Sequence, residues 1–254
     1  MTFARYPSLA GRVVLVTGGA SGIGADIVRA FAANAARVVF LDIQVEAGQA
    51  LADALADAAH RPCFRACDIT DIAALQRTIE TTGADLGPIS VLINNAANDE
   101  RHKADAVSPD YWDASMAVNL RPQFFAAQAV HAQMRRLGYG SIVNLSSIAW
   151  RHGADEMVAY ATAKAAVLGL TRSLARAFGD DNIRVNAIEP GAVMTERQRR
   201  LWYPTEESVA AMVARQCLKR TLLGDEIARA ALFLAADDSR MITKQSIVVD
   251  AGIR

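Results

Sequence analysis

The sequence predicts an α/β fold in which a seven-stranded parallel sheet is doubly wound, with helices on both faces. Three observations predict it. Apolar runs of strand length alternate along the chain with longer stretches at helical spacing, the pattern of repeated strand–helix–strand units. The strand runs are continuously apolar, as expected when both faces of a sheet are covered. No linker, repeat or low-complexity stretch breaks the rhythm, so the 254 residues are expected to form a single domain.

Each element can be justified in order. Residues 12–16 are a short β-branched run, followed by a glycine-rich turn and an amphipathic helix over 22–33. Residues 37–41 form the second strand, and the alanine-rich stretch 45–58 is helical. Residues 62–67 form the third strand, with a helix from Asp71 onward. The fourth strand, 89–93, precedes one long helical pattern over 109–137. The fifth, 141–145, leads to a helix over 160–178. Strand 183–188, helix 226–236 and strand 246–249 complete the series. Only residues 194–223 break the rhythm, with Trp202, Tyr203 and Pro204 among them. Ligands of open α/β sheets bind beyond the carboxyl ends of the strands. This insertion follows the sixth strand there, so it is expected to cover a substrate pocket.

Bulk properties narrow the function classes. The chain is 52% hydrophobic and 21% charged, ordinary for a globular protein. Lys plus Arg equals Asp plus Glu, 27 each, so no net basic field draws nucleic acid or an anionic membrane. Of three cysteines, Cys63 and Cys67 share one predicted strand face roughly 13 Å apart, too far for a disulfide. No cysteine/histidine spacing suggests a metal site. The opening residues lack a basic region followed by a long apolar run, and no run approaches a membrane span. The expected compartment is the reducing cytoplasm.

The turn Thr17-Gly18-Gly19-Ala20-Ser21-Gly22-Ile23-Gly24 lies between a strand and a helix. Gly18 permits the tight turn, Gly22 lets the backbone approach a pyrophosphate, and Gly24 lets helix and strand pack closely. The helix N-terminus offers free N–H groups to the phosphates. This is a Rossmann-type dinucleotide site, with Ser21 and Ile23 in its cradle. Asp42 ends the second strand, where an acidic residue accepts hydrogen bonds from the adenosine ribose and repels a 2′-phosphate, so NAD is expected over NADP. Ile43 follows it. Asp42 can equally serve as an N-cap for the next helix. Asp68 and Ile69 end the third strand and are placed near the adenine, although Asp68 also suits a turn or cap.

Tyr160 and Lys164 are four apart on a predicted helix and share a face. A cation beside a phenol stabilises the phenolate and lowers its pKa, so such a tyrosine can take a proton from a substrate hydroxyl. Asn94-Asn95-Ala96 ends the fourth strand, Asn119 lies inside the long helical pattern, Ser146 and Ser147 follow the fifth strand, and Pro190-Gly191 follows the sixth. In that order, together with the glycine turn, these motifs resemble the short-chain dehydrogenase/reductase family over essentially the whole chain. The resemblance implies that Tyr160 is the catalytic base and that Lys164 is its partner and holds the nicotinamide ribose. It implies that Ser147, 13 positions before the tyrosine, bonds the reacting oxygen. Asn119 matches the asparagine of a water-linked proton path. Asn94, Asn95, Ala96, Pro190, Gly191, Val193 and Thr195 match the cofactor-flanking positions. One departure is Ala97, where the family usually has glycine.

The segments expected to meet substrate are 98–103, the stretch between Ser147 and Tyr160, and the late insertion. They supply Asn98, His102, Trp150, Glu156, Gln198 and Trp202 as candidates. Polar side chains with a few aromatics suit a polyhydroxylated ligand better than a steroid or acyl chain, although charged loops are often simply solvated. Residues 6–9, 98–103, 111–113, 118–121 and 216–219 are similar to those of bacterial NAD-dependent aldose 1-dehydrogenases. That similarity implies oxidation of the anomeric C1 hydroxyl to an aldonolactone, with D-xylose first and L-arabinose, D-galactose and L-fucose as alternatives. The family also implies a homotetramer. The rival readings are a carbonyl or 3-oxoacyl reductase or other secondary-alcohol dehydrogenase of the same family, and a non-catalytic NAD-binding module.

Overall fold

The computed structural model describes residues 3–253. Its seven strands are β1 (Val13–Thr17), β2 (Arg37–Asp42), β3 (Cys63–Ala66), β4 (Ile89–Asn94), β5 (Gly140–Leu145), β6 (Ile183–Pro190) and β7 (Ser246–Val249). All adjacent pairs are parallel, in the order β3-β2-β1-β4-β5-β6-β7. The order reverses between β1 and β4, which opens a crevice at the carboxyl edge of the sheet.

The helices are α1 (Gly22–Ala33), α2 (Val45–Ala54), α3 (Ile72–Leu86), α4 (Pro109–Asn119), α5 (Arg121–Leu137), the single turn α6 (Ala149–His152), α7 (Val158–Ala177), α8 (Glu196–Leu201), α9 (Glu206–Ala214) and α10 (Gly224–Ala235). Successive strand residues point to opposite faces, and two cores result. Val14 and Val16 pack with Ile27 and Phe31 of α1 and with Ile227 and Leu232 of α10. Leu15 and Leu92 pack on the other face with Leu75, Ile79, Val130 and Leu174 of α3, α5 and α7. Each such fully buried side chain contributes roughly 1.5–3 kcal/mol. The double covering explains why β1, β4 and β5 are buried at every position.

Two sequence expectations need correction. The long pattern over 109–137 is two helices that break at Leu120, whose φ/ψ of −129°/−56° is not helical. Pro122 sits in the first turn of α5, where it has no N–H to give and its ring would clash with a preceding helical carbonyl. Asn119 therefore ends α4 instead of lying inside a helix. The second helix stops at Ala54 rather than 58. Residues 194–223 contain α8, started by Thr195 Oγ1 accepting from Gln198 N, and α9, whose cap pairs Thr205 with Ser208. The insertion closes on itself through a parallel bridge between Val193 and Leu222. Among the described residues, no helix is long and apolar enough to cross a membrane.

Candidate active site

The glycine turn leaves β1 beside the crevice. Gly18 and Gly22 have φ of +65° and +54°, a region costly for other residues. A Cβ on Gly24 would lie 1.9 Å from Gly18 O, and one on Gly18 would lie 2.7 Å from Ala96 Cα. Asn95 fixes the turn from β4: its Nδ2 donates to Thr17 O at 3.1 Å and Gly18 O at 2.8 Å. The nearest atom to a Cβ on Gly22 would be Thr195 Cγ2, at 3.3 Å, so the turn adjoins the segment after β6. The first N–H groups of α1 have no acceptor within the helix. The turn thus stays tight because side chains at Gly18 and Gly24 would collide with its own neighbours, and its bare backbone N–H groups fit a pyrophosphate.

Asp42 is 6% exposed at the end of β2. Its Oδ2 accepts from Ala20 N at 2.9 Å, and its Oδ1 accepts from Gln44 N at 3.0 Å and Gln44 Nε2 at 3.2 Å. It ties the turn to the chain after β2, while Gln44, not Asp42, is the N-cap residue of α2. Ile43 beside it is 70% exposed. Asp68 is exposed and makes a local turn, accepting from Thr70 N and Oγ1, and the helix cap is Asp71. The Ile69 side chain is buried in the core. The Asn94 side chain turns beneath the crevice, donating to Asn144 Oδ1 and Gln123 O.

On α7, Lys164 is 1% exposed; its Nζ donates to Leu145 O at 2.9 Å and lies 5.5 Å from the Tyr160 ring centroid. Ser146 donates to Lys164 O at 2.6 Å, which occupies that hydroxyl and leaves Ser147 as the serine facing Tyr160. Ser147 Oγ also accepts from Ala149 N at 3.1 Å. Burial, reinforced by the charge of Asp99, pushes the Tyr160 phenol well above its ordinary pKa, against a pull downward from the Ser147 hydroxyl. Burial lowers the Lys164 ammonium to about 8, against an upward pull from Asp99. Burial is the largest influence on both groups and outweighs the lowering of the phenol expected from Lys164.

Asn119 is fully buried at the end of α4. Its Oδ1 accepts from Asn98 N at 2.9 Å and its Nδ2 donates to Asn98 O at 3.1 Å, so it holds the loop after β4 by both backbone groups. Pro190 O accepts from Ile148 N at 3.1 Å and Gly191 N donates to Val249 O at 2.9 Å, joining β6 to the Ser147 segment and to β7.

The predicted substrate residues divide. Gln198 reaches Asp99, to which its Nε2 donates, and Arg197 Nε donates to the other Asp99 oxygen at 3.0 Å. Arg101 stacks on the Trp202 ring at 4.2 Å and reaches Glu156 at 3.4 Å. Asn98 Oδ1 accepts from Arg197 Nη2 at 3.2 Å. Residues 98–103, 150–157 and 196–202 are thus clasped together near Tyr160. His102 is spoken for: its Nδ1 pairs with Tyr111 Oη at 3.0 Å and its Nε2 accepts from Ala159 N. Trp150 turns its Nε1 to Glu189 at 2.8 Å.

Two residues were missed in the sequence. Asp99 looked like one more solvated loop acid, and its partners are almost a hundred positions away. Glu189 lay inside an apolar strand pattern. It is fully buried and receives Trp150 Nε1, Arg151 Nε and Nη2 (both 2.7 Å) and Ser246 Oγ. Burial works to raise its pKa, but the bonds from Arg151, Ser246 and Trp150 outweigh it and hold the carboxyl below its ordinary value.

The family model described as enoyl-(acyl carrier protein) reductase matches residues 18–254. A crystal structure of a provisionally assigned short-chain alcohol dehydrogenase from Sinorhizobium meliloti 1021 superposes with a TM-score of 0.91 at 32% identity, covering 97% of each chain. The chain belongs to the short-chain dehydrogenase/reductase family. Members are oxidoreductases with a nicotinamide cofactor, and the glycine turn described above is where this one would hold it. The chain is 50% identical to a probable galactose dehydrogenase of Rhizobium meliloti over 98% of both chains. It is 44% identical to a D-xylose 1-dehydrogenase of Caulobacter vibrioides over the full length of both. It is 38% identical to a D-threitol dehydrogenase of Mycolicibacterium smegmatis, over 96% of this chain and 93% of that one.

Proposed function

We propose that this short-chain dehydrogenase oxidises the anomeric C1 hydroxyl of a free aldose to the aldonolactone, with NAD as its cofactor. The observation that carries the proposal is the grouping of Ser147, Tyr160 and Lys164 at one point of the crevice, in a chain half identical throughout to a probable sugar dehydrogenase. D-xylose is the first candidate, with D-galactose, L-arabinose and L-fucose next. Asp42 supports NAD: its buried carboxylate at the end of β2 would oppose the second negative charge of a 2′-phosphate bound beside it. Ribose hydroxyls can take the place of the Gln44 amide on Oδ1.

When bound, the nicotinamide cofactor would supply the hydride acceptor for C1. Tyr160 Oη takes the hydroxyl proton as the C1–O bond becomes a carbonyl. Ser147 Oγ donates to that oxygen and holds C1 in place. Lys164, fixed on Leu145 O, holds the nicotinamide ribose and sets the field around Tyr160. Asn119 orders the loop after β4 and lies on the proton's way out. The insertion 194–223 covers the sugar, with α8 as the part that meets 98–103.

Reduction of an acyl thioester carbonyl is the competing reading. The clasp near Tyr160 carries Asp99, Arg101, Glu156 and Arg197, which suits a polyol and not an apolar acyl arm. The test is NADH formation from NAD with a panel of free aldoses and simple secondary alcohols, repeated with NADP. Rapid turnover of one pentose or hexose with NAD, and little with NADP, is expected. Inert aldoses alongside reactive secondary alcohols would leave the family chemistry standing and remove the sugar.

A further inference from the structure

Asp99 is an acid that this chemistry has not used and whose charge acts on both reacting groups. It follows Asn98, whose backbone is held from both sides by Asn119. Its side chain is 19% exposed, and the groups its charge reaches are Tyr160 and Lys164. The groups that pin it come from α8 of the insertion: Arg197 Nε on Oδ1 at 3.0 Å and Gln198 Nε2 on Oδ2. Arg197 is itself 47% exposed, so this pin stands on the solvent side.

A carboxylate has about four lone-pair sites. The pins use two, one on each oxygen, and so fix the plane of the carboxylate while leaving an acceptor site on each oxygen. Such a group is matched to hydroxyl donors held beside the reacting carbon. Complementary donors stand in the same clasp. Trp202 Nε1 and Arg101 Nε are buried with no hydrogen-bond partner among the described residues. Buried N–H groups left unpaired are costly, and the ring and hydroxyl oxygens of a sugar are acceptors.

We propose that Asp99 is the specificity-determining residue for the sugar, accepting a hydrogen bond from the C2 hydroxyl next to the reacting C1, with Arg197 and Gln198 as its positioning residues. The assignment rests on the aldose reading above. Asp99 makes the hydroxylated neighbour of C1 a condition for fast reaction, and simple alcohols are poor substrates because they leave its carboxylate without that donor.

The test is a cycle of rates with the best aldose and its 2-deoxy counterpart, for the wild type, Asp99→Asn, Asp99→Ala and Arg197→Ala. A hydrogen bond to a charged group corresponds to about a 10- to 100-fold effect. The wild type is expected to lose that factor in kcat/KM, chiefly through KM, when the 2-hydroxyl is removed. Asp99→Ala should lose a similar factor with the parent sugar and almost nothing further with the 2-deoxy sugar, with KM for NAD unchanged. Arg197→Ala should raise KM for the parent sugar and keep the dependence on the 2-hydroxyl, which holds the proposal to account even if the Asp99 variants fold poorly. Equal losses on both sugars in the Asp99 variants, or a wild type indifferent to the 2-hydroxyl, would overturn the role of Asp99 and leave aldose oxidation intact. A wild type that oxidises no aldose would overturn both.

Discussion

Tyr160 works against its surroundings. Burial and the charge of Asp99 hold the phenol protonated well past its ordinary pKa, so a base at this position makes oxidation faster as pH rises. Tyr160→Phe removes the proton acceptor and leaves the ring, and kcat for sugar oxidation is expected to fall about 10²- to 10⁴-fold. Binding of NADH, followed by fluorescence, should be nearly unchanged. Near wild-type oxidation by this variant would rule out the tyrosine as base. The grouping of Tyr160, Lys164 and Ser147 was expected from the family's order of motifs along the chain, since the Tyr160/Lys164 spacing alone also fits a surface contact. Asp99 and Glu189 were not expected. The first depends on Arg197 and the second on Arg151 and Ser246, partners that only the fold brings near.

Among the elements, the weight falls on α6, the single turn between the serine and the tyrosine. A four-residue helix has almost no stability of its own. It is fastened to β6 and β7 by Glu189, which takes Trp150 and Arg151 from α6 and Ser246 from β7. Glu189→Gln is expected to cost roughly 2–3 kcal/mol, the scale of hydrogen bonds to a charged group. That is roughly 5–10 °C in Tm for a chain of this size. The sign of the pH dependence follows from the depressed carboxyl of Glu189. Its contribution is complete above the unfolded value near 4.3 and is lost as pH falls through the lower folded value. Thermal unfolding of wild type and variant should therefore differ most at neutral pH and converge in acid. A gap that stayed constant into acid would mean the charge of Glu189 is not what holds the turn. The strands and α1 were legible because double burial makes continuous apolar runs. The break at Leu120 was not, since apolar spacing runs across it and only Pro122 interrupts the backbone bonding.

On the scale of the whole molecule, a parallel sheet places the ends of β1, β2, β4, β5 and β6 on one edge. The glycine turn, Asp42, Asn95, Ser147 and Thr195 meet there although they span most of the sequence. The seven parallel strands and the helices between them were legible from alternation alone, whereas the strand order came only with the fold. The clasp across the insertion was not legible either, because its contacts join loops with no periodicity. The family resemblance also points to a homotetramer packed through the long helices, and α5 carries Phe124, 38% exposed and edge-on to Phe125. An exposed aromatic on a long helix suits an interface between copies. Sedimentation should give four times the 27.2 kDa chain mass, and Phe124→Glu should shift the protein to smaller species. A monomeric wild type, or a variant still tetrameric, would take α5 out of the interface.

In the proposed reaction, C1 of a sugar is the hydride donor. The most direct test oxidises an aldose deuterated at C1 with NAD and weighs the NADH formed. NADH one mass unit heavier is expected, together with the lactone and a slower chemical step than with the protium sugar. NADH formed without deuterium would show that the hydride comes from another carbon and would rule out oxidation at C1.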